Sequence, residues 1–414
     1  MDVTGPYPRP AAGLPDSPRA WAMAMAAFAV GFVVFGTMYS FGAFFAPMAA
    51  EFGASRTAIS AFFSITGLVF YLAGSVTGPL GDRFGPVTMT GLGAVVMGSG
   101  LALTGLVEQI GVGYFTYGIG VGVGAACAYT PTLAVLGGWF VRHRTAALGV
   151  AAAGTGCGML VLPPLAAALI ERHGWRATSV ILGVGCAVVL GAAAALVRRP
   201  PLAAAGQHLP LGRIVRSFEF LMLYASWVLA TTALFVPLVF LPAYASALGA
   251  TEVEGAALLS MVGGASVLGR LGIGALSGRI GTARLFKASL LLMAASYLLW
   301  IAATSYAWLA AFAVALGLGY GLRIALMPAV LIELFGVRNL GAILGVFFTA
   351  SGVAAVLGPP LAGFVVDATG GYGWGIAFAL AMGVLGFAVV APLRLASEDP
   401  ASMKCAPATL PRSN

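Results

Sequence analysis

Gly78-Pro79-Leu80-Gly81-Asp82-Arg83-Phe84-Gly85 closes one long apolar run, and 196 positions later Gly274-Ala275-Leu276-Ser277-Gly278-Arg279-Ile280-Gly281 closes another. The same shift carries Leu148-Gly149-Val150 onto Leu344-Gly345-Val346, and Pro163-Pro164-Leu165-Ala166 onto Pro359-Pro360-Leu361-Ala362. A shift of 197 carries Pro131 onto Pro328, and Gly122 and Gly124 onto Gly319 and Gly321. A nearly constant offset at separate places marks a duplicated chain.

The composition says what the copies are made of. The 414 residues are 60% hydrophobic and 8% charged, against about 25% charged in soluble globular domains. This is a polytopic membrane protein with the lipid bilayer as its solvent. Runs able to cross ~30 Å of hydrocarbon at ~1.5 Å per residue number twelve: 21–46, 58–78, 86–107, 111–138, 145–170, 177–197, 219–246, 254–278, 285–303, 306–334, 340–366 and 374–396. The expected fold is all-α, with twelve transmembrane helices in two six-helix bundles related by a pseudo-two-fold repeat. Its expected parts are a cytoplasmic tail 1–20, a bundle 21–197, a proline-containing basic linker 198–218, a bundle 219–396 and a cytoplasmic tail 397–414. The proline-rich start, with Pro6, Pro8, Pro10, Pro15 and Pro18, has no apolar core of the length a signal peptide needs and reads as a retained tail.

The formal charge of +8 is dealt out singly between apolar runs rather than gathered into the patch that nucleic acid requires, so no nucleic-acid partner is expected. With both termini inside, the cytoplasmic side receives sixteen Lys and Arg residues, while the other side receives Arg56, Arg172 and Arg176. That asymmetry predicts cytoplasmic termini in the plasma (inner) membrane. Cys127, Cys157, Cys186 and Cys405 show no metal-ligand or disulfide spacing, and His143, His173 and His208 fall in loops. No metal, cofactor or enzymatic constellation is expected.

Two arginines belong to the membrane interior. Arg270 lies within Glu254–Gly278, EGAALLSMVGGASVLGRLGIGALSG. A cation so placed costs roughly 2.5–3.5 kcal/mol to insert, and usually faces a cavity, a counter-charge or a substrate. Asp82, Glu219, Glu333 and Asp367 all stand near span ends, which favours an anionic ligand over a structural ion pair. The planar guanidinium fork also suits a carboxylate. Arg323 corresponds to Ala126 in the first half, so the repeat does not demand its charge. It reads either as a second anion contact, which would suit a dicarboxylate or larger acid, or as a side chain snorkelling toward the interface or capping carbonyls near Pro328. Tyr39, Tyr129 and Tyr320 are the expected cavity hydroxyls, drawn from a set that includes Tyr71, Tyr117, Thr37, Thr155, Thr231, Thr232, Ser266 and Ser351. Any one of these could instead be helix-packing glue.

Twelve spans, a duplication and Gly78-Pro79-Leu80-Gly81-Asp82-Arg83-Phe84-Gly85 after span 2 resemble the major facilitator superfamily, whose loop motif is Gly-x-x-x-Asp-Arg-x-Gly. The run Tyr39–Phe45 leading to Glu51–Arg56, the stretch Trp139–Gly154, Leu334-Phe335-Gly336, and Asp367 before Thr369-Gly370 resemble its monocarboxylate porter branch. The resemblance implies that Arg270 is the span-8 arginine that binds the substrate carboxylate. It also implies that Asp82 and Arg83, with Arg279 as repeat partner, form a gating charge lock; Gly278 replaces the second aspartate, so one lock is incomplete. The proton-carrying aspartate and span-1 lysine of the animal relatives are absent, with Ser266 and Tyr39 in their places. The expected function is secondary active transport of small organic acid anions, lactate- or pyruvate-like monocarboxylates, by proton-linked symport and rocker-switch alternating access, as a monomer. Exchange of dicarboxylates such as oxalate, and efflux of another substrate class, are the alternatives.

Overall fold

The computed structural model describes residues 16–140, 144–199, 211–335 and 340–393. In order the helices are α1 Pro18–Tyr39, α2 Phe41–Phe52, α3 Arg56–Phe84, α4 Pro86–Thr104, α5 Ile110–Gly113, a π-helical stretch Tyr114–Val121, α6 Gly122–Leu136, α7 Arg144–Leu196 and α8 Leu211–Ile214. There follow α9 Phe218–Ala247, α10 Glu252–Ile280, α11 Thr282–Ile301, α12 Tyr306–Phe335, α13 Leu340–Thr369 and α14 Tyr372–Val390. Among the described residues ten stretches are long and apolar enough to cross a membrane. One of them belongs to α7, which is broken at Gly174 (φ 76°, ψ 162°) and so covers both 145–170 and 177–197 of the expected spans. The 29-residue α10 covers the expected 254–278.

The duplication is written into the backbone. Among the described residues six glycines have positive φ: Gly53 and Gly249 (57° and 89°), Gly85 and Gly281 (93° and 86°), and Gly174 and Gly370 (76° and 72°). Each pair is separated by the same 196 positions. These are left-handed or otherwise Cβ-hostile conformations that glycine enters without steric cost, so the repeat retains the hinges between helices where it has lost most side chains. Helix starts echo the same shift. Ser55 Oγ accepts from Ala58 N (3.2 Å), while its counterpart Thr251 forms a capping box, accepting from Glu254 N (3.2 Å) as Glu254 Oε2 accepts from Thr251 N (2.8 Å).

Helices α3 and α10 run past their apolar segments to Phe84 and Ile280, stopping only at Gly85 and Gly281. Span 1 is not one uniform helix: α1 ends at Tyr39, Ser40 Oγ donates to Gly36 O (2.7 Å), and Pro47 lies inside α2. Span 4 carries a π-helical stretch with Tyr117 seated against Phe41 (5.5 Å) and Phe62 (6.1 Å).

The chain divides into two compact units, Met1–Ala205 and Gly206–Asn414. In the first, α1 and α4 pack along α7, and α3 and α4 along α6. A Cβ at Gly154 or Gly158 would collide with the backbone of Phe28 or Phe32, so α1 and α7 meet backbone to backbone. In the second, α10 and α11 pack along α12, and α13 and α14 along α9, around a core that includes Phe220, Trp227, Leu326 and Phe347. Large apolar side chains such as Leu106, Phe115, Val188 and Phe364 are exposed, the surface of a protein solvated by lipid.

Candidate functional site

The second unit holds both interior arginines. Small residues bring their helices together: a Cβ at Gly317 or Gly321 of α12 would strike the backbone of Val262 or Ser266 of α10, and one at Gly269 would strike Leu318 O. With the backbones this close, side chains flanking the seam must turn along it. Leu268 and Leu271 are 64% and 75% exposed, while Ser266 is buried. Arg270, between these faces, is half-buried and has its guanidinium carbon 5.9 Å from the Tyr320 ring centre. Tyr320 itself is only 6% exposed. The guanidinium is therefore held on an interior aromatic ring, an attractive arrangement because the ring face is electron-rich. Ser266, one turn earlier, has a buried hydroxyl with no hydrogen bond.

Arg323 lies three residues beyond Tyr320 on α12 and is 1% exposed. Its Nη2 donates to Thr231 Oγ1 (3.0 Å), and its guanidinium carbon is 4.2 Å from the Trp227 ring centre. Trp227 Nε1 in turn donates to Ser351 Oγ (2.8 Å), so one polar chain joins α12, α9 and α13. The side chain is thus packed inward against α9 rather than extended toward an interface. Thr231 and Ser351 were expected among the polar groups; Trp227 was not. Its signal is the spacing Trp227-x-x-x-Thr231, which puts ring and hydroxyl on one helical face.

In the first unit, Tyr39 and Tyr129 are brought together through Phe35, whose ring centre is 5.8 Å from Tyr39 and 5.0 Å from Tyr129. Phe70 completes the cluster at 5.6 Å from Phe35 and 6.0 Å from Tyr129. Tyr39 is buried and Tyr129 half-buried. Of the gating residues, Arg83 is exposed, its guanidinium carbon 5.3 Å from the Phe84 ring and its carbonyl accepting from Arg199 Nη2 (3.5 Å). The side chains of Asp82 and Arg279 lie outside those described. Sequence reasoning also missed the pairing of Glu51 with Arg176 (2.8 Å) and with Trp175 Nε1, which ties α2 to α7.

Interior cations on a duplicated, lipid-solvated helical scaffold describe a membrane carrier rather than an enzyme, and comparison with known proteins agrees. The chain belongs to the major facilitator superfamily, whose family model matches residues 27–287 and again 223–410. Within it the chain falls in the monocarboxylate transporter-like branch. It is 32% identical to monocarboxylate transporter 3 of Rattus norvegicus over 382 residues, covering 88% of this chain and 78% of that one. It is 29% identical to monocarboxylate transporter 13 of Bos taurus over 364 residues, covering 86% and 85%. Its fold resembles that of a bacterial homologue of the human lysosomal transporter Spinster, solved inward-facing and unoccupied, with a TM-score of 0.72 at 15% identity over 91% of this chain and 96% of that one.

Proposed function

We propose that this chain is a secondary active transporter of small monocarboxylate anions of the lactate and pyruvate kind, with Arg270 as carboxylate anchor. The observation that carries the reading is the Arg270 guanidinium held on the Tyr320 ring inside the second unit. A fork of donors beside a phenol can grip one carboxylate at two oxygens and fix its plane. The names of the similar transporters point to the same substrate class. Tyr39 and Tyr129 are the hydroxyls assigned to the first half, and Asp82 and Arg83, with Arg279 as their repeat partner, the gating charge lock.

Transport is proton-linked. Ser266 and Tyr39 cannot carry a proton as an aspartate or lysine would, so the proton travels with the substrate: it enters the cavity with the carboxylate that Arg270 grips, and proton and acid leave together on the other side, one for one. The duplicated halves alternate access, as a monomer in the plasma membrane with both termini cytoplasmic. A second reading, exchange of dicarboxylates such as oxalate, is favoured by Arg323, a buried guanidinium three residues from Tyr320 on one helix.

Proteoliposome uptake of labelled lactate, pyruvate and oxalate, with and without an imposed pH gradient, separates the two. Lactate or pyruvate uptake accelerated by external acid supports symport. Oxalate uptake that needs a counter-anion inside, and ignores the gradient, supports exchange.

A further inference from the structure

The first unit contains a cavity of about 760 Å³ at the end of the bundle where α1 begins, remote in sequence from both interior arginines. Its lining comes from four helices and the segments beside them: Arg19, Ala22 and Met23 of α1, Phe84 to Thr88 at the α3–α4 corner, and Ala195, Leu196, Arg198 and Arg199 at the end of α7, with Trp139 among them. That volume is in the range of small-ligand sites, ~300–1,000 Å³.

The rim is built rather than incidental. Trp139 Nε1 donates to Arg198 O (3.2 Å), Arg198 N donates to Met23 Sδ (3.2 Å), and Asp16 N donates to Trp139 O (3.0 Å), so the start of α1, the end of α7 and the segment after α6 are tied together. Arg199 lies over Gly85, where a Cβ would come within 3.6 Å of its Nη2. Three guanidiniums, those of Arg19, Arg198 and Arg199, thus border one cavity, and the described residues lining it include no carboxylate; Asp82, two residues before Phe84, and Asp16, three before Arg19, are the acids nearest in sequence. Beside them stand large exposed apolar side chains, Phe84 (55%), Val87 (40%) and Leu196 (52%).

Charge and grease side by side select the ligand. A soluble anion would use the guanidiniums and make no use of Phe84, Val87 and Leu196. A lipid engages both, because its phosphate lies at the depth where membrane helices end and its chains run along their sides. Basic pockets between transmembrane helices at an anionic leaflet are suited to such headgroups. We propose that this cavity binds the headgroup of one anionic phospholipid, its phosphate held by Arg19, Arg198 and Arg199 and its upper acyl chains lying on Phe84, Val87 and Leu196. The lipid bridges α1, α4 and α7, and the site is independent of the carboxylate reading given above.

The test is native mass spectrometry of the detergent-solubilised full chain titrated with phosphatidylglycerol or phosphatidylcholine. The unmodified protein is expected to retain one phosphatidylglycerol in preference to phosphatidylcholine. The triple variant Arg19→Gln, Arg198→Gln, Arg199→Gln is expected to lose that preference by roughly two orders of magnitude, about fivefold per guanidinium. Ala195→Trp fills the cavity without altering charge and is expected to lose retention as well, which covers the case of a triple variant that fails to fold. Arg213→Gln, Arg216→Gln, Arg284→Gln removes equal charge elsewhere and is expected to retain the lipid. Equal retention by the parent, the triple variant and Ala195→Trp would overturn the proposal, as would equal loss in the distant control. Displacement of phosphatidylglycerol by excess inorganic phosphate would show a soluble-anion site instead and would also overturn it.

Discussion

The guanidinium carbon of Arg270 stands 5.9 Å from the centre of the Tyr320 ring, across a seam where α10 and α12 touch through glycine. The ring is worth ~0.5–2 kcal/mol to the cation, less than the roughly 2.5–3.5 kcal/mol that an interior arginine costs. Tyr320 therefore offsets part of that cost and orients the charge.

If the ring is the orienting element, Tyr320→Phe keeps the face and loses only the hydroxyl, whereas Tyr320→Leu loses both. Substrate KM in proteoliposomes is expected to rise more for Leu than for Phe, the difference being about two- to thirtyfold, the ~0.5–2 kcal/mol worth of a cation–π contact. Equal effects would assign the contribution to the hydroxyl alone.

Arg323 and Trp227, 4.2 Å apart and both buried, are expected to be coupled. In a double-mutant cycle of Arg323→Met and Trp227→Leu, followed by thermal unfolding in detergent, the coupling energy should be ~1–2 kcal/mol in the stabilising sense. Arg323→Met should also weaken oxalate more than lactate if the dicarboxylate reading holds.

The helix seam is expected to be intolerant of a single methyl. Gly321→Ala places a Cβ against the backbone of Ser266, which cannot rotate away, and overpacking of this kind costs ~1–3 kcal/mol. Gly345→Ala, which meets nothing within 4 Å, is the control. Lower thermal stability and lost uptake in the first, with neither in the second, is the expected pattern.

Much of this architecture was legible because membrane helices announce themselves by length and apolarity, and because the duplication left paired glycines. Gly85 and Gly281 could be found by offset alone. What periodicity could not show was the conformation at Ser40 or the π-helical stretch at Tyr114–Val121, since both preserve the hydropathy of an unbroken span. At the site, Arg270 was conspicuous as a charge in an apolar run. Trp227 was not, because an aromatic residue in a membrane helix carries no contrast until a cation is found on its face. The pairing of Tyr39 with Tyr129 through Phe35 was likewise hidden, for it joins residues ninety positions apart on two helices.

The most direct measurement is initial uptake of labelled pyruvate by proteoliposomes containing the unmodified chain, Arg270→Lys or Arg270→Ala, each shown to be folded by thermal unfolding. Losing charge-assisted hydrogen bonds worth about 1.5–3 kcal/mol each should lower uptake efficiency at least ~10-fold in Arg270→Ala. Arg270→Lys, which keeps the charge without the fork, should fall between that variant and the unmodified chain. Undiminished uptake by folded Arg270→Ala would contradict the account.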